Sequence, residues 1–243
     1  MITHWSDCFF GPLYVRFDEL RSERISDDVF GIIRLCSIGR HNRVVELCCG
    51  YGRLLIPLVA KTGARATGID KSSTLLAGAR ASANEQNVSI QWKEADLITF
   101  RGRYLFDVAY IAGTSFGYYD ESEKNLRVLE AARSCLKRGG TFLLGQWNVP
   151  SGFRSKKEDG EFIYERESSF NPASNVYAGS YCYRDKITKQ AFTYKFSVVL
   201  YRRHQLLKML TESGFGEIRF FGGLDGRPFE EKGKRLVVVC KAI

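Results

Sequence analysis

The sequence predicts an α/β fold, a largely parallel sheet wrapped by helices and interrupted late by antiparallel strands. Three observations carry this reading. From residue 43 to 148, apolar runs of strand length alternate with stretches of helical period, the pattern of successive βαβ units. Within them, Val44-Val45-Glu46-Leu47-Cys48-Cys49-Gly50-Tyr51-Gly52-Arg53 reads as a strand entering a glycine loop that opens a helix. After Asn148, segments rich in Tyr, Phe and Val alternate polar with apolar residues, as half-buried antiparallel strands do.

The elements follow in order. Residues 1–30 hold aromatics among charges, and Val29, Ile32, Ile33 and Leu35 repeat at helical spacing. Two helices with a loop are expected there, packed across the front of the domain. Strands are expected over 43–47, 65–69, 88–92, 106–111 and 140–146. Helices are expected over 52–61, 73–85 and 121–137, with a short turn near 97–102. Asn87 and Gly139-Gly140 mark helix exits. Residues 161–170, 176–186 and 190–200 form an expected three-stranded antiparallel insertion, punctuated by Asn171-Pro172 and Asn175. A helix over 202–213, closed by Gly214, and strands over 216–221 and 235–241 complete the chain. The implied organisation is cap helices and a ligand-binding core over 1–148, an insertion over 149–200 serving as lid or dimer contact, and the end of the core over 201–243.

Composition narrows the class. At 243 residues the chain suits one domain with a modest insertion, and 44% hydrophobic residues suffice for a core. No run reaches the roughly 18 apolar residues of a membrane span. The first residues lack the pattern of a secretory signal, and the seven cysteines are odd in number with no C-x-x-C, so a cytoplasmic, reducing compartment is expected. His4, His41 and His204 lie too far apart for ligand spacing, so no metal is expected. Net charge is +9, and residues 151–243 carry 17 Lys and Arg against 11 Asp and Glu, an excess of six. These basic residues are scattered among acids, which argues against nucleic acid as the partner.

The glycine loop suits a small ligand with a nucleoside and a charged amino-acid tail. Gly50 and Gly52 let backbone approach a ligand where a Cβ would clash. Asp70, closing the apolar segment Ala66-Thr67-Gly68-Ile69, can accept both ribose hydroxyls, although an Asp there also suits a helix N-cap. A dinucleotide fingerprint wants a third glycine where Leu55 stands, and Glu46 would repel a pyrophosphate but suits a cation.

The pattern E-x-C-C-G-x-G-R followed by G-I-D resembles motifs I and II of the class I S-adenosylmethionine-dependent methyltransferases. The resemblance runs from about residue 40 to the end. It implies a Rossmann-like seven-stranded sheet with its last strand antiparallel. It is strongest to the small-molecule group, including sugar N,N-dimethyltransferases, which carry an antiparallel sheet after strand five. The segment from Phe221 to Phe229, followed by Arg235-Leu236-Val237-Val238-Val239, resembles that group too. The implied cofactor is S-adenosyl-L-methionine. The resemblance puts Glu46 near the methionyl ammonium, Asp70 on the ribose, and Asp96-Leu97 on the adenine edge. Arg53 neutralises the methionyl carboxylate or simply starts a helix. Cys48, Lys71 and Ala112, beside these positions, complete the expected cofactor set.

Ala112-Gly113-Thr114-Ser115-Phe116-Gly117-Tyr118-Tyr119 follows the fourth strand and should face the reacting methyl, since ligands of open α/β sheets bind beyond strand carboxyl ends. It lacks the Pro-Pro-aromatic motif of enzymes acting on nucleobase amines. Thr114, Ser115 and Tyr118 are therefore candidate catalytic residues. Tyr14 joins them because, in similar enzymes, the N-terminal segment closes over the methionyl end. His204 is the remaining candidate base, with a structural role the alternative. Asp107, at the start of its strand, is read as structural.

The expected reaction is methyl transfer to a small-molecule acceptor, at nitrogen rather than oxygen or carbon because bases are few. The rivals are an RNA or protein methyltransferase using the basic last third, and a non-catalytic cofactor-binding subunit. The aromatic insertion, with Trp147 at its root as a pocket wall, also suggests a homodimer.

Overall fold

Five parallel strands build the centre of the molecule, and the inner ones are apolar enough to be covered on both faces. The computed structural model describes residues 4–19, 25–148 and 152–243. Strands β1 (Arg43–Leu47), β2 (Arg65–Asp70), β3 (Ile90–Glu94), β4 (Phe106–Ile111) and β5 (Leu136–Trp147) are joined by helices α4 (Leu55–Thr62), α5 (Ser73–Glu85) and α6 (Ser122–Cys135). A further helix, α7 (Arg203–Glu212), precedes β10 (Phe215–Phe221) and β11 (Arg235–Ala242). The seven strands lie in the order β10-β11-β5-β4-β1-β2-β3. Only β11 runs against its neighbours, pairing antiparallel with both β5 and β10. Beyond β1 the chain winds out to β3, then returns to the other side of β1 for β4. That reversal leaves a crevice at the carboxyl ends of β1 and β4, the place where open α/β sheets receive ligands.

The N-terminal segment holds three helices, where two were expected: α1 (Trp5–Phe9), α2 (Pro12–Glu19) and α3 (Ile25–Cys36). The aromatic stretch is broken at Phe10-Gly11 because Pro12 has no N–H to continue a helix and instead starts a new one. Residues 20–24, inside the expected helix–loop–helix segment, lie outside the described residues. Strand β3 begins two residues later than expected. Asn87 adopts a left-handed φ of 54°, and the N–H of Val88 closes α5 on the carbonyl of Ala83 at 2.9 Å.

The insertion has four strands, where three were expected: β6 (Phe153–Glu158), β7 (Phe162–Asn171), β8 (Val176–Asp185) and β9 (Ala191–Val199), in that order. The expected start of the insertion at residue 149 lies outside the described residues. Strand β6 is an edge strand with no fully buried residue, so its sequence carries no hydrophobic period. Backbone pairing holds it, and Arg154–Glu167 and Lys156–Glu165 cross-strand ion pairs add to that.

One face of the insertion carries Tyr164, Tyr177, Tyr181, Tyr183, Phe196 and Val198, all buried. This face packs on α1 and α2 of the same chain. Phe9 and Phe17 meet Tyr181 edge-on with ring centroids 5.0 and 5.2 Å apart. Arg16 of α2 pairs with Asp159 at 2.6 Å and Glu161 at 2.5 Å, beside the β6–β7 turn. The aromatic face that suggested a dimer is thus covered from within. Among the described residues no helix is long and apolar enough to cross a membrane.

Candidate active site

The loop after β1 is the foundation of the site. Gly50 has a φ of 55°, which glycine adopts at little cost, and a Cβ there would meet only Leu75 Cδ1 at 3.7 Å. Its N–H donates to Asp70 Oδ2 at 2.8 Å, and the N–H of Ser72 donates to Asp70 Oδ1 at 2.9 Å. Each carboxylate oxygen keeps a lone pair for a further donor. Burial pushes the Asp70 carboxyl above its ordinary value, against the pull of these two N–H groups. Ser72 caps α5 through its own hydroxyl, accepting from Leu75 N–H at 3.2 Å, so Asp70 is released from that task.

Glu46 stands on β1, 4% exposed. Its Oε2 accepts from the Tyr110 hydroxyl on β4 at 3.2 Å. Burial pushes its carboxyl up to about 8, with Tyr110 and Arg53 opposing. Burial thus favours the neutral carboxyl, and a cation beside it would draw it toward the ionised form. Arg53 sits across from Asp18 of α2, Nε to Oδ2 3.4 Å, and Tyr51 donates to the same Asp18 oxygen at 2.9 Å. Lys71 pairs with Asp7 of α1 at 2.5 Å. Asp96 accepts from Ile98 N–H at 2.9 Å, and Leu97 is buried beside it.

The loop after β4 lies opposite. Ala112 is buried, and its carbonyl accepts from the Ser115 hydroxyl at 3.2 Å. Thr114 is buried with φ 67°; its Oγ1 accepts from Trp147 N–H at 3.1 Å. That hydroxyl therefore fixes the loop to β5. Tyr118 lies under the N-terminal helices, 4.8 Å from the Trp5 ring and 5.9 Å from Phe10. A ring nitrogen of His4 lies 3.0 Å from the Tyr118 carbonyl oxygen, joining α1 to this loop. Burial raises the Tyr14 and Tyr118 hydroxyls above their ordinary values.

One cavity of about 1150 Å³ runs through all of this. It brings together Tyr14, Glu46, Cys48, Gly50, Arg53, Asp70, Lys71, Asp96, Leu97, Ala112, Thr114, Ser115 and Tyr118. Two expected site residues stand apart. Gly52 does not line it; a Cβ there would come within 2.8 Å of the Trp92 ring, so its role is packing beneath β3. His204 is exposed on α7 and does not line it, so no histidine base is delivered to the cavity from that helix.

Sequence reasoning missed Asp18, Gln146 and Arg166, which also line the cavity. Gln146 is fully buried; its Nε2 donates to the Tyr201 carbonyl at 2.7 Å while its Oε1 has no partner. Arg166 was legible in part, because it shares the strand parity of Tyr164 on β7 and so falls on the aromatic face. Among the described residues no group of His, Cys, Asp and Glu could hold a metal ion.

These residues fit an adenosyl sulfonium. The glycine cradle at Gly50 leaves open space, Asp70 offers two held oxygens for hydroxyls, and Glu46 offers a latent anion for a cation. Residues 44–140 match the model of a methyltransferase domain. A relative from Geobacillus sp. (strain WCH70), provisionally named a methyltransferase, is 25% identical over 93% of this chain and 96% of its own. Among solved structures, an S-adenosylmethionine-dependent methyltransferase from Clostridium acetobutylicum superposes with a TM-score of 0.78 at 19% identity, covering 94% of this chain and 98% of that one. The sugar N-methyltransferase KedS8 from Streptoalloteichus sp. superposes with a TM-score of 0.73 at 19% identity, covering 95% of this chain and 94% of that one. At such identities the two structures speak to the fold. Residues 44–140 thus match a methyltransferase domain, and the fold that surrounds them is that of S-adenosylmethionine-dependent methyltransferases.

Proposed function

We propose that this enzyme methylates a nitrogen atom of a small acceptor bound between the core and the insertion. The single observation that carries this reading is the shape of the cavity. At about 1150 Å³ it exceeds what one drug-sized ligand fills, and it runs from the strand ends of the core to the wall of Tyr177, Tyr181 and Phe196. It has room for a donor at one end and a small acceptor at the other.

When bound, S-adenosylmethionine supplies a methyl carbon already activated by a positive sulfur. The chain's task is then alignment and exclusion of water. Asp70 would hold the ribose hydroxyls, Asp96 and Leu97 the adenine edge, and Glu46 and Arg53 the methionyl ammonium and carboxylate. Cys48, Lys71 and Ala112 line the same end. Helices α1 and α2 cover the cavity with Trp5, Phe9, Phe10 and Tyr14, which keeps bulk water from the transfer.

Nitrogen is favoured because none of the candidate bases singled out in the sequence stands ready at the acceptor end. Tyr14 and Tyr118 are raised by burial, Glu46 is engaged by Tyr110, and His204 is exposed elsewhere. An unprotonated amine needs no base; a hydroxyl does. Gln146 Oε1, a buried acceptor with no partner, would take an N–H of the incoming amine. KedS8, similar in fold, is a sugar N-methyltransferase, which supports the same class. The seven cysteines stand as free thiols, which fits a reducing, cytoplasmic compartment. With the aromatic face covered from within, a single chain suffices for the site, and a homodimer would need a different contact.

The test is a donor-consumption screen over amines, hydroxylated metabolites, peptides and RNA, read as S-adenosylhomocysteine formed. Turnover confined to small amines is expected. Turnover with RNA, or with hydroxyl compounds alone, would overturn the reading.

A further inference from the structure

The acceptor end of the cavity contains a charge, Arg166, that no described residue balances. Arg166 is 7% exposed and lines the cavity from the middle of β7. Its guanidinium carbon lies 4.5 Å from the Phe153 ring centroid, 4.9 Å from Tyr181 and 5.7 Å from Phe196. The terminal nitrogen Nη2 donates to the Tyr177 hydroxyl at 2.9 Å, and that hydroxyl donates onward to Ser168 at 2.9 Å. Nε is buried with no partner. The flanking acids Glu165 and Glu167 point to the opposite face by strand alternation, where they pair with Lys156 and Arg154. Among the described residues no carboxylate pairs with Arg166.

A buried ion without a counter-ion is costly, and aromatic faces compensate it only in part. Such a cation is retained in a binding wall when a ligand completes it. A guanidinium matches the planar oxygen pair of a carboxylate or phosphate better than any other side chain.

We infer that Arg166 selects an acceptor carrying an oxyanion, a carboxylate or a phosphate, and holds it against the aromatic wall of the insertion. This rests on the reading of the cavity as the site of a methyltransferase with a small acceptor. It adds a residue that positions the acceptor and a chemical class for what is positioned. The aromatic rings then contact the carbon skeleton, while the oxyanion fixes its orientation relative to the donor.

The experiment has two readouts. The first follows the Arg166 Nε–H resonance, assigned by its absence in Arg166→Lys, with S-adenosylhomocysteine saturating and ionic strength held constant with chloride. Inorganic phosphate and acetate are titrated separately. A saturable shift with phosphate points to a phosphorylated acceptor, and one with acetate to a carboxylate. The second readout is turnover of amines in matched pairs with and without a phosphate or carboxylate. The anionic members are expected to be preferred, and Arg166→Met is expected to raise their KM by about 10- to 100-fold, the loss of one charge-assisted contact. Arg166→Lys should recover part of this, and cofactor affinity by calorimetry should match the wild type in both variants. No saturable shift with either anion, or equal turnover of neutral and anionic partners unaffected by Arg166→Met, overturns the inference. If the wild type binds no S-adenosylhomocysteine, or consumes no donor with any amine, the broader reading fails instead.

Discussion

Two carboxylates line the proposed donor end, and their environments set them apart. Asp70 has both oxygens engaged by backbone N–H groups, so its geometry is fixed before any ligand arrives. Removing such a charged acceptor costs about 1.5–3 kcal/mol, so Asp70→Ala should weaken S-adenosylmethionine binding roughly 10- to 100-fold by calorimetry. Unchanged affinity would take Asp70 out of the site. Glu46 behaves differently because burial moves its carboxyl from 4.5 to about 8. A folded value above the unfolded one means the native state holds the extra proton between the two. This contribution to stability is full below about 4.5 and is lost as pH rises through about 8, with a slope of at most about 1.4 kcal/mol per pH unit. A cationic donor reverses the preference and draws the proton off. Donor affinity should therefore rise between pH 6 and about 8 with release of one proton, and Glu46→Gln should flatten that rise in buffer-dependent calorimetry. Both residues were legible in the sequence because Glu46 precedes the glycine loop and Asp70 closes the next strand. Gly52 was legible as a glycine but not in its purpose, since only the fold brings Trp92 against it. Arg166 and Gln146 carry no local motif; what marks each is one buried polar atom without a partner, which a sequence does not display.

At the scale of elements, the parallel core could be read from periodicity alone, and the departures from it have identifiable physics. Strand β6 carries four charges in its six residues and buries neither face, so pairing with β7 draws it into the sheet. The break between α1 and α2 is local and stems from Gly11-Pro12. What the sequence could not tell was which surface the aromatic insertion would meet. It meets α2, where Phe17 is 1% exposed and touches Tyr164, Tyr181 and Tyr183. The same helix carries Tyr14 and Asp18 to the cavity. Phe17→Ala should cost about 3–5 kcal/mol in urea unfolding, the price of deleting a buried aromatic ring. It should also speed hydrogen exchange across α1 and α2 while strands β1, β4 and β5 stay protected. Uniform loss of protection across the core would contradict the division into a covering layer and a core.

The whole molecule is a two-sheet arrangement whose cavity is bounded by three separate stretches of chain. The core supplies Glu46, Gly50 and Asp70; α1 and α2 supply Trp5, Phe9 and Tyr14; the insertion supplies Arg166, Tyr181 and Phe196. Direct ties join the covering helices to the core. Among the described residues they include Lys71–Asp7, Arg53–Asp18, Tyr51–Asp18 and His4–Tyr118. Of these, the Lys71–Asp7 pair is partly exposed, and exposed ion pairs contribute little alone. A ligand spanning the cavity adds contacts to all three stretches at once, so its binding energy is coupled to the docking of the cover. At a hundredfold excess over Kd, a ligand that binds only the folded state stabilises it by about 2.7 kcal/mol. For a chain of this size that corresponds to a rise in Tm of about 5–10 °C. S-adenosylhomocysteine at that excess should produce such a rise in calorimetry and should slow exchange in α1 as well as in the glycine loop. Asp70→Ala should need a proportionally higher ligand concentration for the same rise. A rise in Tm with no added protection in α1 would mean that the cover docks independently of the ligand and that the donor end closes before anything binds.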